Sequence, residues 1–298
     1  MRALPTLTIL IPAVRRRSPR YSPRPSNFLA LNKSSQSQRA REDSALLQGS
    51  ARRSYSSAMS DSVSSVACNG DVPRDAPVDA AIAEIIVVRH GETEWNADGR
   101  IQGHLDAELN EEGRRQAAAV ADRLSGEPRI SAVYSSDLKR AFETAQTIAA
   151  ACGGLEVVQD AGLRERNLGD LQGIRLSDAA DIKPEAYRAF LSHRTDEEIP
   201  GGGESIDQLY QRCTDSLQNI AQKHKGERVV VVTHGGVIRS FYRRACPSRR
   251  FGKVLNTSVN VFHLGDGEDW IIKSWGDISH LKKSGFLETG FGGDRTSG

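Results

Sequence analysis

The chain predicts an α/β fold: a three-layer α/β/α sandwich around a mostly parallel sheet with an antiparallel edge strand. Short, wholly apolar runs alternate with amphipathic helical stretches along most of its length. The last two strand-like runs adjoin with no helix between them. At 298 residues, 38% of them hydrophobic, the chain is long enough to bury a large core without disulfide staples.

Ile85-Ile86-Val87-Val88 has the continuous apolar character of a strand covered on both faces. Asn110–Leu124 follows, with Ala117, Val120, Ala121 and Leu124 at helical spacing. Ile130–Tyr134 is again strand-like, and Ser136-Asp137 offers a cap for a helix whose stripe is Ala141, Phe142, Ala145, Ile148 and Ala149. Leu155–Val158 is a third strand. An irregular stretch leads to a long amphipathic helix carrying Ile206, Leu209, Tyr210, Cys213, Leu217 and Ile220. Val229–Val232 is the most strand-like run of all, and a helix begins soon after Gly236. Ser258–Leu264 and Trp270–Ser274 form a hairpin at the sheet edge.

The 40 Lys+Arg against 38 Asp+Glu conceal two regions of opposite charge. Residues 1–60 hold ten Arg, one Lys and twelve Ser against only Glu42 and Asp43, a balance of +9, which leaves −7 for residues 61–298. An Arg-rich, Ser-rich, acid-poor N-terminus has the composition of a transit peptide, so residues 1–58 are expected to be one, a disordered basic segment being the alternative. Arg52-Arg53-Ser54-Tyr55 suggests mitochondrial processing ahead of chloroplast import, hence an organelle matrix, and Met59 offers a second start and a cytosolic form. Residues 59–81 read as a linker, 82–284 as one catalytic domain and 285–298 as a flexible tail. The acidic body argues against nucleic acid as a partner. No run of eighteen apolar residues exists, so no membrane span is expected. Cys68, Cys152, Cys213 and Cys246 lie far apart without a CxxC pair, which speaks against a zinc ribbon or a redox dithiol and for buried thiols.

The first strand runs into Arg89-His90-Gly91-Glu92-Thr93-Glu94-Trp95-Asn96, and the strongest later strand into Thr233-His234-Gly235-Gly236. In open α/β sheets ligands bind beyond the carboxyl ends of the strands. A glycine after each histidine is expected to let the backbone approach a ligand with its N–H exposed. Arg89, whose fork matches phosphate oxygens, and Arg140, at the start of a helix, add fixed positive charge. These features predict a phosphate pocket with a histidine inside it.

Arg89–Thr93, Ser135–Arg140, Leu163-Arg164-Glu165 and Thr233-His234-Gly235 together resemble the histidine phosphatase (phosphoglycerate mutase-like) superfamily, in order over 84–275. The likeness is to its phosphatase branch, and within it to the plant phosphoglycerate mutase-like proteins. The resemblance implies that His90 is the nucleophile, that Arg89, Asn96, Arg140 and His234 grip the phosphate, and that Glu165 is the general acid and base. Gln102-Gly103 resembles a family substrate-loop element. No metal is expected: two arginines and a second histidine supply the positive charge, and no Asp cluster is present to hold Mg²⁺. The expected activity is metal-independent hydrolysis of a small phosphorylated metabolite through a phosphohistidine. Family mutases carry a long basic insert after the catalytic glutamate. Here only residues 166–199 separate Glu165 from Pro200, which suggests an accessible pocket and transfer to water. A phosphoglycerate mutase, primed by 2,3-bisphosphoglycerate, is the alternative, and a non-catalytic phospho-ligand-binding protein a minor one.

Several residues carry plainer readings. Glu156, Glu185 and Glu204 compete with Glu165 for the acid role, and Glu204 follows a Gly201-Gly202-Gly203 turn that either caps the pocket or starts a helix. Arg100 and His104 read as loop residues, Glu92 and Glu94 as solvated or structural, Trp95 as packing, and His193, His224, His263 and His280 as surface or core. The edge strands offer a surface for pairing in a homodimer.

Overall fold

The computed structural model describes residues 78–248, 252–267 and 269–284. The expected targeting segment at 1–58, most of the 59–81 linker, Cys68 and the 285–298 tail lie outside them. The described elements run β1 (Ala83–Arg89), α1 (Glu94–Ala97), α2 (Glu111–Ser125), β2 (Ala132–Ser135), α3 (Lys139–Ala151), β3 (Val157–Gln159), α4 (Ala179–Ile182), α5 (Pro184–Phe190), α6 (Ile206–Lys223), β4 (Arg228–Thr233), α7 (Gly235–Ala245), β5 (Val259–Leu264) and β6 (Trp270–Asp277).

Six strands form one sheet in the order β3-β2-β4-β1-β5-β6. β1, β2, β3 and β4 pair in parallel, whereas β5 runs antiparallel to both β1 and β6. The hairpin thus sits at the sheet edge as expected. The strand that opposes the rest is β5, one place in, and β6 is the edge. The central strands are apolar throughout because each face has its own core. Ile86, Val88, Val230 and Val232 pack under α2 and α3 with Val120, Leu124, Ala145 and Ile148. Ile85, Val87, Val229 and Val231 pack under α6 and α7 with Leu209, Leu217, Val237 and Phe241. Burying an aliphatic side chain contributes about 1.5–3 kcal/mol, so the two faces together hold the sandwich.

A third apolar cluster stands apart from the sheet: Ile101, Leu168, Leu171, Ala179, Ala186 and Ile199. It unites the loop after α1 with the connection from β3 to α6, tied by Ile101 N–H to the Ile174 carbonyl at 2.9 Å and Gly173 N–H to the Ile101 carbonyl at 2.8 Å. The short helices α4 and α5 belong to it. Sequence periodicity missed them, because four and seven residues are too few to show a stripe.

The helix after β2 departs from expectation. It starts at Lys139, its N-cap is Leu138, and no side chain caps it. Ser136 and Asp137 are engaged elsewhere, as described below. The glycine after the first histidine also has a different purpose from the one expected. Gly91 N–H is not exposed but donates to Thr144 Oγ1 at 3.1 Å. A Cβ on Gly91 would overlap the Gly113 carbonyl, and one on Gly113 would overlap the Glu92 backbone. Two glycines therefore let the start of α2 pack directly on the chain that follows β1. Gly113→Ala is expected to cost about 1–3 kcal/mol through overpacking; an unchanged urea midpoint would contradict this contact.

Candidate active site

Strand register assembles the site. Arg89 pairs with Thr233 across β1 and β4, so the next residues, His90 and His234, leave adjacent strands side by side. Ser135 pairs with Val232 and with Gln159, which brings Ser136 and the chain leading to Glu165 to the same end of the sheet. The ladder continues past the strands through His90 N–H to the Thr233 carbonyl at 2.9 Å and Ser136 N–H to the Val232 carbonyl at 3.0 Å.

Arg89, His90, Asn96, Arg140, Glu165 and His234, the six residues expected at the site, are all buried, none more than 3% exposed. The rings of His90 and His234 lie 5.1 Å apart between centroids. His90 Nδ1–H donates to the Gly91 carbonyl at 2.7 Å, an acceptor only, so in the neutral ring the lone pair is on Nε2. Burial, then the charges of Arg140 and Arg89, hold His90 well below the usual histidine range. Burial, with Arg140 and His90 as the next causes, holds His234 down in the same way. Arg140 is pushed down to about 10 by burial and remains a cation.

The cations are held by backbone. Arg89 Nη1 donates to the Val254 carbonyl at 2.6 Å. Arg140 donates to the Gly103 and Leu105 carbonyls at 2.8 and 3.0 Å. Asn96 Oδ1 accepts from Thr93 N–H at 3.2 Å in the cap of α1. Three buried nitrogens of this group have no hydrogen-bond partner among the described residues: Asn96 Nδ2, Arg140 Nε and His234 Nδ1. Leaving a buried polar group unpaired costs about 1–3 kcal/mol, so the site as built calls for a ligand rich in acceptors.

Glu165 is the buried carboxylate among its rivals; Glu156 and Glu185 are exposed. Its Oε1 accepts from Arg166 N–H at 2.9 Å and its Oε2 from Gly236 N–H at 3.1 Å. The loop carrying it is anchored by two residues that sequence reasoning did not assign. Thr233 Oγ1 donates to the Leu163 carbonyl at 2.7 Å. Arg212, on α6, donates to the Gly162, Arg164 and Glu165 carbonyls at 3.0, 2.7 and 2.8 Å and grips Glu204 at 2.7 Å through both carboxylate oxygens. Glu204 therefore serves as a tie beneath Glu165, while Ser205, not Glu204, caps α6. No sequence signal separates Arg212 from an ordinary charged residue on a helix flank.

Gln102 is buried, and its Oε1 accepts from Thr93 Oγ1 at 3.1 Å. Gly103 supplies a carbonyl to Arg140. His104 is half-buried, with Nε2 hydrogen-bonded to the Glu165 carbonyl at 2.7 Å, so it is more than a plain loop residue. Arg164 pairs bidentately with Asp137 at 2.7 and 2.5 Å. Asn256 was also missed: its Nδ2 donates to the His90 carbonyl at 2.9 Å. The next residue, Thr257, adopts φ +53°, the left-handed region that a β-branched side chain disfavours. Residues 166–199, though short, build an apolar core of their own with Ile101 of the loop at 99–103.

Cys213 is buried and its thiol pushed up to about 12, whereas Cys152 and Cys246 are partly buried, and all three are free. No three His, Cys, Asp or Glu side chains among the described residues come together as a metal site. No helix among them is long and apolar enough to cross a membrane.

The profile of the histidine phosphatase superfamily (branch 1) matches residues 85–278. Phosphoglycerate mutase-like protein 4 of Arabidopsis thaliana is 68% identical over 221 residues, covering 74% of this chain and 96% of that relative. The metal-independent phosphoserine phosphatase of the same plant is 56% identical over 220 residues, covering 74% and 92%. Among solved structures, Entamoeba histolytica phosphoserine phosphatase in complex with 3-phosphoglyceric acid is similar with a TM-score of 0.57. It is 29% identical and covers 67% of this chain and 99% of its own.

Proposed function

The chain belongs to the histidine phosphatase superfamily and is a phosphatase, and on that premise we propose that it hydrolyses small carboxylated phosphate monoesters, phosphoserine first among them, through a phosphohistidine on His90. The observation that carries this reading is the set of three unpartnered buried nitrogens around a histidine whose Nε2 lone pair is available. Phosphorus is attacked by His90 Nε2 as the P–O bond to the leaving group breaks. Asn96, Arg89, Arg140 and His234 stabilise the charge spread over the equatorial oxygens. Glu165 gives its proton to the leaving alkoxide, then takes one from the water that cleaves the phosphohistidine. No metal is required, since the cations of Arg89 and Arg140 supply the electrostatic stabilisation. The name and 56% identity of the Arabidopsis phosphoserine phosphatase support both the substrate and the metal independence.

Phosphorus NMR of the full chain in EDTA tests this, with phosphoserine, sugar phosphates, and 3-phosphoglycerate plus a trace of 2,3-bisphosphoglycerate. Free phosphate from phosphoserine, at the same rate with and without EDTA, is the expected outcome. Conversion of 3- to 2-phosphoglycerate without phosphate release would make the enzyme a mutase. Glu165→Gln is expected to slow turnover about 10²–10⁴-fold on substrates with poor leaving groups; near-normal turnover would remove Glu165 from the acid role.

The N-terminal 58 residues, with their strong positive balance, are proposed to direct the chain to an organelle matrix. A fluorescent fusion to residues 1–58 that stays in the cytosol would overturn this.

A further inference from the structure

We propose that Ser136 is a positioning residue that sets the tautomer of His234, so that Nδ1 carries the hydrogen and is the donor offered to the phosphoryl group. The inference rests on the phosphatase reading of the site but is read out separately from it. Ser136 is fully buried, and its backbone N–H is pinned to the Val232 carbonyl at 3.0 Å. Its hydroxyl oxygen accepts from Leu138 N–H at 3.3 Å and lies 2.8 Å from His234 Nε2. Among the described residues that ring nitrogen is the only acceptor within reach of the hydroxyl hydrogen. The hydroxyl therefore donates, Nε2 holds the lone pair, and the single N–H of the ring falls on Nδ1. Nδ1 is the buried atom left without a protein partner. With the other tautomer, a lone pair would face the phosphoryl oxygens and the serine hydrogen would have nowhere to go.

The two histidines then carry the same tautomer, Nδ1–H, and put it to opposite uses. A backbone carbonyl holds the hydrogen of His90 on Nδ1 and frees Nε2 as the attacking atom. A hydroxyl holds the lone pair of His234 on Nε2 and frees Nδ1–H as a donor. Burial and the nearby arginines keep His234 uncharged, so without Ser136 either nitrogen would be open to the hydrogen. This also accounts for the failure of Ser136 to cap α3: its oxygen is committed to the site.

Nitrogen NMR of the full chain labelled with ¹⁵N-histidine gives the test, the His234 signals being identified by their loss in His234→Gln. Two-bond couplings distinguish the tautomers without substrate. The resting protein is expected to show Nδ1–H at His234, Ser136→Ala to shift it wholly or partly to Nε2–H, and Ser136→Thr to keep the native pattern. kcat on a phosphate monoester is expected to drop about 10²-fold in Ser136→Ala, the usual worth of one aimed donor, and to recover in Ser136→Thr. Nε2–H in the resting protein, or an unchanged tautomer in folded Ser136→Ala, would overturn the proposal. Should the alanine variant not fold, the tautomer of the resting protein decides alone. A chain that hydrolyses no monoester yet shows Nδ1–H at His234 would sink the phosphatase reading and leave the tautomer assignment standing.

Discussion

His90→Ala is expected to lower turnover by about 10⁴-fold or more, the scale seen when an enzyme loses its nucleophile. The ring is held by one hydrogen bond, Nδ1–H to the Gly91 carbonyl at 2.7 Å, and its Nε2 is the atom left to attack. Alanine removes that atom but not Arg89, Arg140, Asn96 or His234, so inorganic phosphate is expected to bind the variant still. The discriminating measurement is protein-bound phosphate after rapid quenching with labelled substrate. It should be acid-labile in the native chain and absent from His90→Ala. Labelling that persists in the variant would place the nucleophile elsewhere.

Arg212→Ala has the second largest expected effect, and it acts through stability and rate together. Each guanidinium hydrogen of Arg212 has an acceptor: two on Glu204 and one each on the Gly162, Arg164 and Glu165 carbonyls. Removing one partner of a buried ion pair costs about 3–5 kcal/mol. Arg212 and Glu204 are 24% and 20% exposed, so solvent screening brings the expected loss to about 2–3 kcal/mol. Glu165 loses its carbonyl anchor in the same variant. Displacement of a reacting group by about 1 Å costs roughly 10²-fold, so kcat falls while KM changes little. Arg212→Lys should not rescue, because an ammonium has three hydrogens and no planar fork. Normal kcat and a normal urea midpoint in Arg212→Ala would show that the anchor is dispensable.

The buried histidines give stability a pH dependence whose sign follows from their depressed values. Unfolded, each titrates near 6.5; folded, each takes up a proton only well below that. The unfolded chain therefore binds more protons as pH falls, and stability present above about pH 6.5 is lost toward the folded values. His280, pushed down to about 4 mainly by burial, adds to the loss. Urea midpoints at about pH 7.5 and about pH 5 should differ in that direction, and by less in His234→Gln. A midpoint that rises on acidification would contradict the buried, neutral rings.

Much of this site was legible before any coordinates. Two His-Gly pairs end the two most apolar strands, and their residues meet because β1 and β4 are neighbours in parallel register. Arg140 and Glu165 were legible only through their motifs, since spacing alone does not say that a helix start and a loop converge on one histidine. The roles of the small polar residues were not legible. Ser136 looks like a helix cap in sequence because the same oxygen that caps a helix also bonds an imidazole. Gly91 looks like a ligand-facing glycine because its close neighbour, Gly113, is twenty-two residues away.

The alternation of apolar runs and amphipathic stretches by itself determined the sandwich, the strand ends that carry the histidines, and the phosphate chemistry those residue types imply. Burial drives that level, and burial follows from local hydrophobic period, which any stretch of chain displays on its own. The tertiary structure alone decided that residues 166–199 share an apolar core with Ile101. It also decided that Arg212 rather than a nearer residue holds Glu165 and that Ser136 orients His234. Those are matters of hydrogen-bond direction between groups distant in sequence, and direction exists only once the chain has folded around both partners.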